Sequence, residues 1–120
     1  MSIGISSRKS KARNLQNEVA QRISDLLNIP CGKDQLIQGR EMGQSGVDIK
    51  LIGEALKRFQ WSVECKRQEN LSIPAWIRQA QANIIPDTNW LLVVRRNHEK
   101  AFVVLDIDAF FELLKKGNGQ

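Results

Sequence analysis

Gly46-Val47-Asp48-Ile49-Lys50-Leu51, followed by Trp61-Ser62-Val63-Glu64-Cys65-Lys66, is the stretch on which the reading of this 120-residue chain turns. In the first segment Val47, Ile49 and Leu51 alternate with Asp48 and Lys50, the period of a half-buried strand. In the second, Trp61, Val63 and Cys65 take one face and Ser62, Glu64 and Lys66 the other. If the two strands pair with their polar faces aligned, two carboxylates and an ammonium converge. Hard divalent cations such as Mg²⁺ take oxygen ligands and keep several waters. Asp48, Glu64 and the backbone carbonyl of Cys65 are then a sufficient protein contribution, with Mn²⁺ the alternative ion. Lys66 beside them suits orientation or deprotonation of a bound water and stabilisation of charge developing on phosphate, the needs of phosphodiester hydrolysis. Charged residues on an exposed hairpin face are also ordinary, so alternation alone leaves a solvated surface open.

Working outward, Gly39, Gly43 and Gly46 punctuate the loop before Asp48, and Arg40 within it is placed to meet a phosphate backbone or to sit in a plain turn. The loop lacks GxxxxGK[ST] and leads into a strand, which excludes the P-loop and dinucleotide fingerprints. Upstream, Leu15, Val19, Ile23, Leu26 and Leu27 recur at helical spacing from Lys11 until Ile29-Pro30, and Gln35 to Gln38 reads as a short strand. Downstream, Ser72 and Pro74 open a helix with an Ile73, Trp76, Ile77, Ala80 and Ile84 stripe. Trp90 to Val94 reads as a strand covered on both faces, Phe102 to Leu105 as its partner, and Asp106 or Asp108 as the cap of a last helix. The expected order is αβββαββα, with Lys57 and Arg58 in a connection.

With 42% hydrophobic and 26% charged residues, the chain can bury a core of the size a single domain needs. The expected division is a flexible basic arm over 1–10, one domain over 11–116 and a tail over 117–120. The net charge of +5 is concentrated at the start: Arg8, Lys9, Lys11, Arg13 and Arg22 stand against Glu18 alone in the first 24 residues. Arg8, Lys9, Lys11 and Arg13 are therefore candidates for neutralising nucleic-acid phosphates, with a solubilising tail as the alternative. Cys31 and Cys65 have no CxxC spacing, and His98 is the only histidine, which excludes disulfide scaffolds and zinc fingers. No apolar run reaches the roughly 20 residues of a membrane span; the expectation is a cytoplasmic protein with no membrane partner.

The pattern from Gly46 to Lys66 resembles the PD-(D/E)XK nuclease superfamily: an acidic residue at a strand start, a strand bearing Glu-x-Lys, then a helix. Val47 stands where the name-giving Pro would be. The resemblance implies an α/β protein with a restriction-endonuclease-like αβββαβ core, a mixed central sheet flanked by helices. Within the superfamily the small size, basic N-terminus and glutamate on the first helix look most like phage and archaeal-type Holliday junction resolvases. That implies metal-dependent cutting of four-way DNA junctions to leave a 5′-phosphate and a 3′-hydroxyl, in host cytoplasm for a phage enzyme. Two symmetric cuts by a chain with one site imply a homodimer. The resemblance further makes Glu18 a third acidic residue of the metal site, with a solvated helix position as the alternative. It matches Gln79 to a glutamine near the metal, with Gln81 and Asn83 as neighbouring alternatives. Arg67, continuing the Glu64 strand, is a candidate DNA contact. The rivals are another repair or restriction nuclease of this superfamily, or a non-catalytic nucleic-acid-binding module.

Overall fold

The computed structural model describes residues 5–41 and 44–119, and its elements run α1 (Ile5–Leu27), β1 (Ile37–Gly39), β2 (Ile49–Leu51), α2 (Glu54–Arg58), β3 (Trp61–Arg67), α3 (Ile73–Ala82), β4 (Asn89–Arg95), β5 (Phe102–Val104) and α4 (Ile107–Gly117). The order is that expected with one helix added. Glu54-Ala55-Leu56-Lys57-Arg58 contains good helix formers, carries its acid in the first turn and its bases in the last, and buries Ala55 completely. Gly53, at φ 57°, turns the chain out of β2 into it. Arg58 then donates from Nη1 to the Leu27 carbonyl at 2.9 Å, satisfying an orphan group at the C-terminus of α1.

The basic arm is corrected over its described part. Helix α1 already includes residues 5–10, because the run from Ile5 to Asn28 has no Gly or Pro to stop a helix from extending ahead of the Leu15 stripe. Residues 1–4 of the expected arm lie outside the described residues. No described helix is long and apolar enough to cross a membrane.

The strands form two sheets. β1 and β2 are an antiparallel pair, Ile37 opposite Leu51 and Gly39 opposite Ile49. β3 runs parallel to β4, with Glu64 beside Leu92, and β4 antiparallel to β5, with Val93 beside Val103. The second sheet is therefore mixed, in the order β3-β4-β5. The aligned pairing of the Asp48 and Glu64 strands is a correction: β2 and β3 share no ladder, since β2 has three residues and α2 leads the chain away after Gly53. They are tied instead through Asp48, just before β2, whose N–H donates to the Val63 carbonyl at 2.9 Å and whose Oδ2 accepts from the Cys65 N–H at 2.6 Å.

Each face of the β3-β4-β5 sheet has its own core. Leu15, Val19, Ile23 and Leu27 of α1 pack with Ile37, Ile49, Leu51, Val63 and Val93. On the other face Trp76 and Ala80 of α3 pack with Trp90, Leu92 and Val94. The alternation of β3 is as expected, with one consequence the pattern did not carry. The polar face is no exposed hairpin surface: α3 covers it, leaving Ser62 and Glu64 each only 2% exposed. Ser62 is satisfied there, accepting from the Ile85 N–H at 2.9 Å and bonding the Thr88 hydroxyl at 2.6 Å.

Candidate active site at two buried carboxylates

Asp48 is 2% exposed at the mouth of β2, and four contacts fix it. Its N–H reaches Val63, and its carbonyl accepts from the Arg40 N–H at 2.7 Å. Its Oδ2 accepts from the Cys65 N–H at 2.6 Å, and its Oδ1 lies 2.9 Å from Arg40 Nη2. The Arg40 guanidinium is itself anchored, its Nη1 donating to the Gln44 carbonyl. Gly46, at φ 105°, takes a backbone conformation that favours glycine as the loop turns toward Asp48.

Glu64 is buried from the opposite side. Gln79 Nε2 donates to Oε1 at 3.0 Å and Asn83 Nδ2 to Oε2 at 3.3 Å. Burial raises its carboxyl above the ordinary range, and the negative charge of Asp48 raises it further; the Asn83 hydrogen bond, Lys66 and Arg40 pull the other way. Lys66 lies two residues farther along the same face of β3, partly exposed, with its charge felt at Glu64. Two desolvated carboxylates that repel each other have a strong tendency to take up a proton or a cation.

A divalent cation fits this donor set. Asp48 Oδ1 is buried and accepts no hydrogen bond among the described residues, with only the Arg40 cation for company. Because N–H and C=O of one strand residue point to the same edge, the Cys65 carbonyl faces the edge where its N–H holds Asp48. The Cys65 thiol belongs to the other face, packed toward the α1 core, where burial raises its ionisation well above the ordinary thiol value. That disfavours its thiolate, the nucleophilic form.

Of the residues expected at the site, the structure brings Asp48, Glu64, Lys66, the Cys65 backbone and Gln79 together. Arg40, expected as a DNA contact, stands at Asp48 itself. Glu18 is a correction. Its Oε1 pairs with Arg95 Nη1 at 2.9 Å and its Oε2 with Arg22 Nε at 3.3 Å. It lines an apolar groove of about 680 Å³ with Val19, Phe59 and Val93, on the α1 face of the sheet. Among the described residues no three His, Cys, Asp or Glu converge as a metal cluster. The physical reason is the sheet itself: Glu64 points to α3, whereas Glu18 rides on the helix covering the other face.

The basic candidates divide. Lys9 and Arg13 are exposed along α1. Arg8, Lys11 and Arg67 line one cleft with Asn70 and Asn97, and Lys11 and Arg67 reappear beside Arg95 in the cleft next to it. Lys11 Nζ donates to Asn97 Oδ1 at 3.2 Å. Arg67 is three residues beyond Glu64 and so falls on the α1 face of β3, with Glu18 lining the second of these clefts; the basic cleft lies roughly 10 Å along the strand from the carboxylates and on the other face of the sheet. Two partners were under-read in the sequence. Asn83 lies four residues after Gln79, and this i, i+4 amide pair on the sheet-facing side of the helix was the available signal. Arg95, the first residue of the expected polar turn, is the last residue of β4 and faces α1. His98 sits exposed in that turn at φ 60°.

Comparisons with protein-family models, with curated proteins and with solved structures find no match to this chain.

Proposed function

We propose that this chain is a metal-dependent, structure-specific DNA endonuclease that cuts four-way junctions. The observation that carries the reading is the convergence of Asp48 and Glu64, both 2% exposed, at one edge of a strand that also presents Lys66. Burying two like charges side by side costs stability, and a domain this small retains such a pair where function needs it. In this reading Asp48, Glu64 and the Cys65 carbonyl would hold Mg²⁺ or Mn²⁺, which when bound supplies Lewis-acid polarisation of a phosphate and activation of water.

The chain's own groups do the rest. The Cys65 N–H fixes one oxygen of Asp48, and Gln79 and Asn83 fix both oxygens of Glu64, so neither carboxylate has to reorganise as charge develops. Lys66 brings an ammonium to the Glu64 face to orient the attacking water or offset charge on the phosphorus centre. Arg40 supplies a second cation at Asp48 for a non-bridging phosphate oxygen. Lys11 and Arg67 take backbone phosphates in the neighbouring cleft, which makes binding fall with salt.

The test uses labelled four-way junction, flap and linear duplex, each with Mg²⁺ and with chelator. Paired symmetric nicks on the junction in Mg²⁺ alone are expected. Junction binding with no Mg²⁺-dependent cutting of any substrate overturns the enzyme reading and leaves a nucleic-acid-binding module. Cutting of flaps or duplex in preference to junctions keeps the chemistry and replaces the substrate.

A further inference from the structure

Helix α4 carries its apolar stripe on the wrong side for a core helix. Ile107, Phe110, Phe111 and Leu114 follow the i, i+3, i+4, i+7 spacing of one face, yet they are 70%, 44%, 56% and 45% exposed. The side turned to the domain is Ala109, the one buried residue of the helix, with Glu112, Leu113 and Lys116 lining a shallow cleft against Gln60 and Trp61. The helix is well capped, Asp106 Oδ1 accepting from the Ala109 N–H at 2.8 Å. The stripe is therefore displayed on a formed element. A contiguous exposed apolar face of this kind marks an interaction surface.

The charges beside the stripe indicate the occupant. Asp108 and Lys115 are seven residues, or two turns, apart, so they fall on the same flank of α4. Both are exposed, and neither enters an ion pair among the described residues. When two identical helices pack antiparallel about a two-fold axis, like flanks meet and the N-terminal end of one lies beside the C-terminal end of the other. That arrangement sets Asp108 of each copy against Lys115 of the other, two complementary contacts from one self-complementary patch. Parallel packing would instead set this flank against the opposite flank of the partner and leave Asp108 and Lys115 without these contacts.

We infer that α4 is the surface through which two copies of this chain associate, with their α4 helices antiparallel, the Ile107, Phe110, Phe111 and Leu114 stripes in contact and Asp108 paired to Lys115 twice. The inference does not depend on the chemistry proposed for Asp48 and Glu64. One short helix from each copy buries less than the roughly 1,200–2,000 Å² of a standard interface, so a dissociation constant on the order of 10 µM is expected.

Sedimentation equilibrium of the full chain between about 1 and 200 µM tests it. The wild type is expected to pass from monomer to dimer across that range, and Phe111→Glu to stay monomeric with an unchanged circular dichroism spectrum. Asp108→Lys opposes like charges at both contacts and is expected to weaken the dimer about 10-fold. Asp108→Lys combined with Lys115→Asp restores both pairs and is expected to return to within about threefold of wild type. A wild type that stays monomeric at 200 µM overturns the inference, as does a dimer that survives Phe111→Glu. A charge swap that fails to recover association overturns the antiparallel pairing. No readout here is cleavage, so an inactive dimer would overturn the proposed nuclease function and leave this inference standing.

Discussion

Two glutamates lie on opposite faces of the β3-β4-β5 sheet, Glu64 on β3 itself and Glu18 on the helix α1 that covers the other face, and they are held in opposite ways. Glu64 is 2% exposed, its oxygens held by two neutral amides, with the negative Asp48 close by. The Glu18 side chain is 34% exposed and meets two arginines, Arg95 and Arg22. On the α1 face the charge is neutralised where it stands, and it gains little from a further cation. On the α3 side two carboxylates are desolvated and hydrogen-bonded, and one ion-paired cation, Arg40 at 2.9 Å from Asp48, stands against both charges, with Lys66 acting on Glu64 from farther along the strand. An acidic residue that pairs with a base at the surface makes structure; one buried beside another acid is poised for a ligand.

The largest effect expected from this contrast is on cleavage. Asp48→Asn and Glu64→Gln each remove half of the anionic donor set and are expected to lower Mg²⁺-dependent junction cutting by about 1,000-fold or more, read in single-turnover assays. Junction binding, read by gel shift in chelator, should hold or tighten, because each change removes negative charge near phosphate. A variant that cuts normally would erase the distinction between the two faces. Next in size is Gln79→Ala, which frees Glu64 Oε1 from its 3.0 Å hydrogen bond. A loss of about 10–100-fold in apparent Mg²⁺ affinity is expected from titration of cleavage against Mg²⁺.

Stability should move in the other direction. In the folded state the Glu64 carboxyl titrates above its ordinary value of 4.5. Between that value and the raised one, the native protein keeps a proton that the unfolded chain has lost. Stability therefore falls as pH rises across the window and stays lowered above it. Glu64→Gln removes the titrating group while keeping the shape between Gln79 and Asn83. It is expected to melt higher than wild type at pH 7, by about 1 kcal/mol or roughly 4 °C, and the gap should close as pH drops below 4.5. Thermal melts of both proteins from acid to neutral pH measure it. A gap that widens toward acid would mean that Glu64 is stabilised as a charge, like an ion-paired residue.

Strand alternation was enough to separate Cys65 from Glu64 and Lys66, and helical spacing was enough to place Trp76 and Ala80 in a core. Both periods are local properties of backbone geometry. The depth of the site was not legible in the same way. A run such as Ser62-Val63-Glu64 has the same alternation whether its polar face meets water or a helix, and only the parallel β3-α3-β4 arrangement puts α3 over it. Gln79 was reached through a motif, whereas Asn83 needed knowledge of which helical face turned inward. The missed α2 reflects length, because five residues give too few positions to show a period. The placement of Glu18 failed for a topological reason: a resemblance that matches a glutamate on the first helix says nothing about which side of the sheet that helix covers.

Glu18→Gln is the smallest expected effect and the sharpest check on the contrast. Its partners Arg95 and Arg22 are 37% and 78% exposed, so water and salt already compete for both charges. Pairs of this kind contribute about 0.2–1 kcal/mol, and less as ionic strength rises. The variant should therefore lose no more than about 1 kcal/mol in urea unfolding at low salt, and the difference should shrink in 1 M NaCl. Its junction cutting should stay within about threefold of wild type, the range of a surface substitution remote from chemistry. A loss comparable to that of Asp48→Asn would mean that Glu18 leaves Arg95 and crosses to the carboxylate site during turnover. That result would make the ion pair a resting latch and turn the two faces of the sheet into one functional unit.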